Sequence, residues 1–233
     1  MNGWAGQILR VDLSKGHWAD EELNVDLAEK YIGGRGLASK VLFDEVNPKA
    51  SPLGPENKLI FMTGPLAGTG APSACRFSVV AKSPLTGTIS CSTAGGFFGP
   101  ELKFAGYDGI IFEGKAPKPA YLWINNDKIE IRAADHLWGK DVSETVDLIQ
   151  HEIGDKWQAW DTHVAAIGPA GENLVRFAAI MGDKWRAAAR GGMGAVMGYI
   201  IMKSIALRGT GAVTVSVGTG FKEITLAIRG RIK

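Results

Sequence analysis

Apolar and polar positions alternate through GQILRVDL at residues 6–13, and the SKG that follows predicts a turn into a second strand. Asp26 with Glu29 three residues on reads as a capping box opening a helix through LAEKYI, stopped at Gly33 and Gly34. A second short helix is expected over LASKVLFDEV before Pro48, then a buried strand in KLIFMTG and a Gly/Pro loop, PLAGTGAPSAC. RFSVVAK and GTISCS predict a strand pair across SPLT, YDGIIFEG another strand, and AYLWI-NNDK-IEIR a hairpin. Val142, Val146, Ile149 and Ile153 recur at helical spacing and give one buried face. HVAAIG, RFAAIM and KSIALRG return to strand character. Runs of strands with a few helices between them, without strict alternation, predict an α+β fold.

The pattern also repeats. GPLAG at 64–68 is echoed by GPAG at 168–171, CRFSVVA at 75–81 by VRFAAIM at 175–181, and GGFFG…IIFEG at 95–114 by GGMGA…IALRG at 191–209. Three echoes in one order predict an internal duplication. A duplicated unit sets equivalent loops about a pseudo-two-fold axis, where a quasi-symmetric ligand could sit.

Composition narrows the class. At 233 residues, 45% apolar and 21% charged, the chain is an ordinary globular protein with one large domain, or one plus an appendage. A net charge of +2 gives no reason to expect nucleic acid or an anionic membrane surface as partner. No signal peptide is visible and no apolar run approaches the roughly 18 residues of a membrane span, so a cytoplasmic location is expected. Two cysteines, Cys75 and Cys91, exclude a disulfide-dense scaffold and a self-contained four-cysteine metal site. The 31 glycines exceed the usual share of about 7% and predict many tight turns or close backbone approaches.

Candidate chemistry collects where glycine meets arginine. In RAAARGGMGAVMG, Arg186 and Arg190 could hold an anionic cofactor, with Ala187, Ala189 and Gly191 letting backbone come near. The plainer alternative is an exposed helix end with solvated arginines. Arg76 stands after a Gly/Pro loop, and STAGGFFG offers free backbone at Gly95 and Gly96, although a lone arginine more often pairs with a carboxylate. Neither loop is a Walker A or a GxGxxG. His17, His136, His151 and His163 lack metal-ligand spacing, and no Ser-His-Asp arrangement is visible. Cys75 and Cys91 read as small buried residues, though Arg76 could lower the Cys75 thiol pKa. The seven tryptophans read as core and interface residues.

GGRGLASKVLFDEV, PENKLIFMTGPLAGTGAPSACRFSVVAKSPLTG, GGFFGPELKFAGYDGIIFEGKA, IGPAGENLVRFAAIM and RAAARGGMGAVMG together resemble the N-terminal domain of the tungsten-containing aldehyde:ferredoxin oxidoreductases, over roughly residues 3 to 213. The resemblance implies two β-sheets related by a pseudo-two-fold axis, cradling a tungsten (or molybdenum) bis-pterin that carries the redox chemistry. It implies oxidation of aldehydes to carboxylic acids, with electrons passed through a [4Fe–4S] cluster to ferredoxin. Position by position, pterin contacts fall on Arg76, Thr93, Gly95, Arg186, Ala187, Ala189 and Arg190. A magnesium ion bridging the pterin phosphates would take the backbone carbonyls of Thr93 and Ala187.

Three departures stand out. Thr93 replaces the family's usual Asn, Ala189 its usual Gly, and Tyr199-Ile200-Ile201 a polar Ser-Lys-Asn. Residues 1–213 form the expected pterin-binding domain and 214–233 a divergent or truncated tail. No CxxCxxxC is present, so the cluster would be held elsewhere, by C-terminal domains or a partner subunit, and this chain carries no expected catalytic residue. An exposed apolar docking face and a homo-oligomer are further expectations. The alternative is a non-catalytic pterin-binding or assembly subunit.

Overall fold

Interior strands here carry apolar side chains on both faces, and the architecture follows from where the two faces go. The computed structural model describes residues 2–154, 157, 159, 161–216 and 219–232. The first sheet holds β1 (Gln7–Asp12), β2 (His17–Glu22), β3 (Leu59–Thr63), β4 (Phe77–Lys82), β5 (Ile89–Ala94) and β6 (Gly109–Glu113), in the order β2-β1-β6-β3-β4-β5. The second holds β7 (Ala120–Asn125), β8 (Lys128–Ala133), β9 (His163–Ala166), β10 (Ile180–Gly182), β11 (Arg186–Ala188) and β12 (Met202–Arg208), in the order β11-β10-β9-β12-β7-β8.

The helices are α1 (Val25–Tyr31), α2 (Gly34–Glu45), α3 (Phe98–Phe104), α4 (Val142–Ile153), α5 (Pro169–Glu172), α6 (Met193–Tyr199) and α7 (Thr219–Arg231). Among the described residues none is long and apolar enough to cross a membrane.

Successive residues of one strand serve different cores. Leu59 and Phe61 of β3 point between the sheets, while Ile60 and Met62 pack outward against Leu37, Ala38 and Leu42 of α2. Likewise Leu122 and Ile124 of β7 point inward, and Tyr121 and Trp123 meet Val146 and Ile149 of α4. Phe98 and Leu102 of α3, and Met193, Val196 and Met197 of α6, fill the space between the sheets. The layers are therefore helix, sheet, sheet, helix, with two short helices wedged in the middle.

The duplication is topological. Adding six to each strand number of the first sheet gives the second: a hairpin (β1–β2, β7–β8), a parallel pair (β1–β6, β7–β12), then antiparallel neighbours out to β5 and β11. The α+β fold of two related sheets is as expected from sequence.

Local expectations need correction at several points. The α1 N-cap is Asn24, whose side chain accepts from Leu27 N at 3.0 Å; Asp26 lies inside the first turn. Gly34 opens α2 instead of closing α1, because the chain reverses at Ile32. Of RFAAIM only Ile180 and Met181 are strand. RAAAR is edge strand β11 running into a loop, not a helix end. The divergent tail after Thr214 contains a helix, α7.

Candidate functional site

The two sheets meet at their free edges, β5 and β11. Ser92 on β5 accepts a hydrogen bond from Arg190 N at 3.0 Å, and Ser83 Oγ donates to Gly191 O at 2.7 Å. Beside this seam lies a cavity of about 410 Å³ whose lining includes Arg76, Thr93, Gly95, Trp185, Arg186 and Ala187. Five of the seven residues singled out from sequence thus converge. Ala189 and Arg190 do not line the cavity, and Arg190 contributes instead the backbone N–H that ties the two edges together.

Register fixes which residues are symmetry mates. Met62 and Ala166 each stand two residues before a Gly-Pro, and they oppose Ser78 and Met181. Those residues in turn oppose Thr93 and Ala187, so Thr93 and Ala187 are equivalent, and two residues on so are Gly95 and Ala189. The same count makes Arg76 the mate of Ala179. The echo pairing CRFSVVA with VRFAAIM is therefore three residues out of register. Helix packing gives the same result: a Cβ on Gly99 would meet Cys75 and Arg76 backbone, and one on Gly194 would meet Ala178 and Ala179 backbone.

Alternation of hydrogen bonding in an antiparallel ladder decides which edge carbonyls are free. Ser83 N donates to Thr88 O, so the bonded pairs of β4 and β5 place Thr93 at a non-bonded position. Asp183 N donates to Val164 O, which turns Gly182 toward β11 and leaves Ala187 non-bonded in the same way. Both carbonyls point out from their sheet edges. Two equivalent acceptors and two arginines around one cavity suit a phosphate-bearing ligand with a bridging cation.

Arg76, Arg186 and Arg190 make no side-chain hydrogen bond or ion pair among the described residues. Among the described residues no carboxylate pairs with Arg76. A Cβ on Gly96, whose φ is +93°, would sit 3.1 Å from Arg186 Cγ, so glycine there lets the Arg186 stem cross the turn. Ala189 and its mate Gly95 both lie outside the positive-φ region, which makes alanine an acceptable replacement for glycine at 189. Cys75 and Cys91 are half-buried and free, not fully buried as expected.

Trp185 is the residue sequence reading missed. It precedes Arg186, is 81% exposed, and lines the cavity. Two residues earlier in the same hairpin, Asp183 Oδ2 bonds His163 Nδ1 at 2.8 Å. Burial opposes charge on His163, but the bond and attraction from Asp183, aided by Glu101 and Asp161, raise its pKa above the usual histidine range. Among the described residues no cluster of three or more His, Cys, Asp or Glu could hold a metal ion.

Comparison with known proteins gives one consistent picture. The family model described as aldehyde ferredoxin oxidoreductase, N-terminal domain, matches residues 8–209. The chain is 54% identical to a tungsten-containing aldehyde ferredoxin oxidoreductase of Thermococcus kodakarensis, over 93% of this chain and 35% of that protein. It is 40% identical to the WOR-like subunit of an aliphatic sulfonate oxidoreductase of Pyrococcus furiosus, over 91% and 35%. A solved active site complex BamBC of benzoyl coenzyme A reductase, with 1,5-dienoyl-CoA, superposes with a TM-score of 0.95 at 42% identity, over 99% of this chain and 35% of that one. The chain thus spans about a third of the length of the relatives it matches.

Proposed function

Because the chain belongs to the aldehyde ferredoxin oxidoreductase family, through the part described as its N-terminal domain, we propose that it is the cofactor-binding base of a tungsten oxidoreductase. The observation that carries this reading is the pair of symmetry-equivalent, outward carbonyls, Thr93 and Ala187, beside the unpaired Arg76 and Arg186. A ligand of two like halves, each ending in a phosphate, matches that arrangement.

Arg76 and Arg186 would hold the phosphates through charge-assisted hydrogen bonds, and the Thr93 and Ala187 carbonyls would be the oxygen ligands for a magnesium ion. Gly95, in the cavity lining, would leave room for a pterin to approach, and the Arg190 backbone fixes the seam beside it. When bound, the metal–pterin centre supplies the two-electron redox chemistry. The proposed reaction is RCHO + H₂O → RCOOH + 2 e⁻ + 2 H⁺, with ferredoxin as the electron acceptor; an iron–sulfur cluster on that route would be held outside the described residues. Aldehyde is favoured over sulfonate or aryl-CoA because identity to the aldehyde enzyme, 54%, exceeds the 40% and 42% of the other two.

The alternative, a non-catalytic pterin-binding subunit, rests on Tyr199-Ile200-Ile201 in place of a polar triplet. Loaded holoprotein that oxidises no aldehyde would select it. The binding assignment itself is tested by Arg76→Ala and Arg186→Ala in the holoprotein, with Lys128→Ala as control. Each arginine variant is expected to bind pterin about 10- to 100-fold more weakly and to lose it through gel filtration, from the roughly 1.5–3 kcal/mol of a charged hydrogen bond. Unchanged pterin in both overturns it.

A further inference from the structure

The β10–β11 hairpin is fixed more firmly than a surface turn requires. Its two central residues, Asp183 and Lys184, lie at φ 47° and 66°, the positive-φ pair of a tight hairpin turn, which suits aspartate better than lysine. Asp183 N donates to Val164 O at 2.8 Å, Asp183 Oδ1 accepts from Val164 N at 3.0 Å, and Asp183 Oδ2 meets His163. Lys184 Nζ reaches Asp147 Oδ1 at 2.5 Å. The His163 ring lies on Phe97, centroids 5.4 Å apart and planes 30° apart, which joins the turn to the start of α3.

What the hairpin presents is an indole. Trp185 lines the same cavity as Arg76 and Arg186, and among the described residues its ring N–H has no acceptor. Cations recognise a ligand's phosphate, and an exposed aromatic face beside them recognises a planar ring. Building on the cofactor-binding reading above, we propose that Trp185 stacks on the heterocycle of the bound ligand and that Asp183 and His163 are positioning residues that hold the indole there. The clamp is one-sided: Trp185 lies two residues before Ala187, and its mate in the first half is Cys91, so only one half of the paired ligand is gripped this way.

The test uses holoprotein purified without oxygen, following pterin release by fluorescence after dilution. Trp185→Ala is expected to release pterin about tenfold faster, the usual size of a lost ring stack. Trp185→Phe should stay within twofold of wild type. Asp183→Ala should resemble Trp185→Ala, while Asp183→Asn, which keeps an acceptor for Val164 N, should restore slow release. As an independent readout, stripping the cofactor should raise tryptophan emission in wild type by more than in Trp185→Phe. Wild type that carries pterin, beside a Trp185→Ala variant releasing it at the wild-type rate, overturns the stacking alone. Wild type free of pterin overturns the parent reading and this one together.

Discussion

Ile32 closes α1 at φ 67°, ψ −55°, and Gly33 N reaches back over it to Tyr31 O at 2.7 Å. That is a γ-turn of the strained, positive-φ kind, occupied by a β-branched residue that is 62% exposed. Little burial is lost by removing the side chain, so Ile32→Gly should stabilise the fold by about 1 kcal/mol. Urea unfolding would register this as a higher midpoint at unchanged slope. Single residues were legible in sequence where chemistry marks them: Arg76, Arg186 and the glycines announced a cavity. Trp185 was not legible, because an indole reads as core until the chain's turn leaves it outside. Nor was the ease of Ala189, which depends on a backbone angle and not on residue type.

At the scale of elements, periodicity found the amphipathic pieces and missed the immersed ones. α4 was clear because Val146 and Ile149 repeat on one face. α6 has six consecutive buried residues from Met193 to Gly198, so no polar face exists to set a helical period, and α3 is wedged in a similar way. The RFAAIM echo misled because matching letters stood three residues from the matching backbone. Caps separate the two readings of helix starts. Asp141 accepts from Glu144 N at 2.8 Å and Glu144 answers to Asp141 N at 3.1 Å, so Asp141→Ala should cost about 1 kcal/mol. Asp26→Ala, lacking any cap bond, should change the urea midpoint far less.

The hairpin carries a pH signature. The His163 pKa is raised in the folded chain, so its contribution is complete below the unfolded value of about 6.5 and is lost as pH rises through the folded value. Wild type should therefore lose stability with rising pH above about 6.5 relative to His163→Gln. A flat difference between the two midpoints across that window would contradict the pairing with Asp183.

For the molecule as a whole, the two sheets share one core, and the chain's first residues are tied to it by charge. The Lys103 ammonium touches the buried Asp108 carboxylate and donates to Gly3 O at 2.8 Å. Asp108 also accepts from Ala5 N at 3.1 Å and Gly6 N at 2.7 Å. Asp108→Ala strands a buried ammonium and two backbone donors, and should cost about 3–5 kcal/mol with fast amide exchange at Ala5 and Gly6. Lys103→Met leaves the two backbone bonds in place and should cost less. The duplication was legible in sequence because Gly-Pro and Gly-Gly loops survive where strands diverge. Its register had to come from the ladders, since only pairing shows that Thr93 answers to Ala187.

That equivalence is the centre of the account, and its most direct test is the composition of protein purified anaerobically from its source. Elemental analysis for tungsten, molybdenum and magnesium, with pterin quantified after oxidation, should give about two pterins and one magnesium for each tungsten or molybdenum per chain. Well-folded protein carrying a single pterin per metal, or neither pterin nor metal, would contradict it.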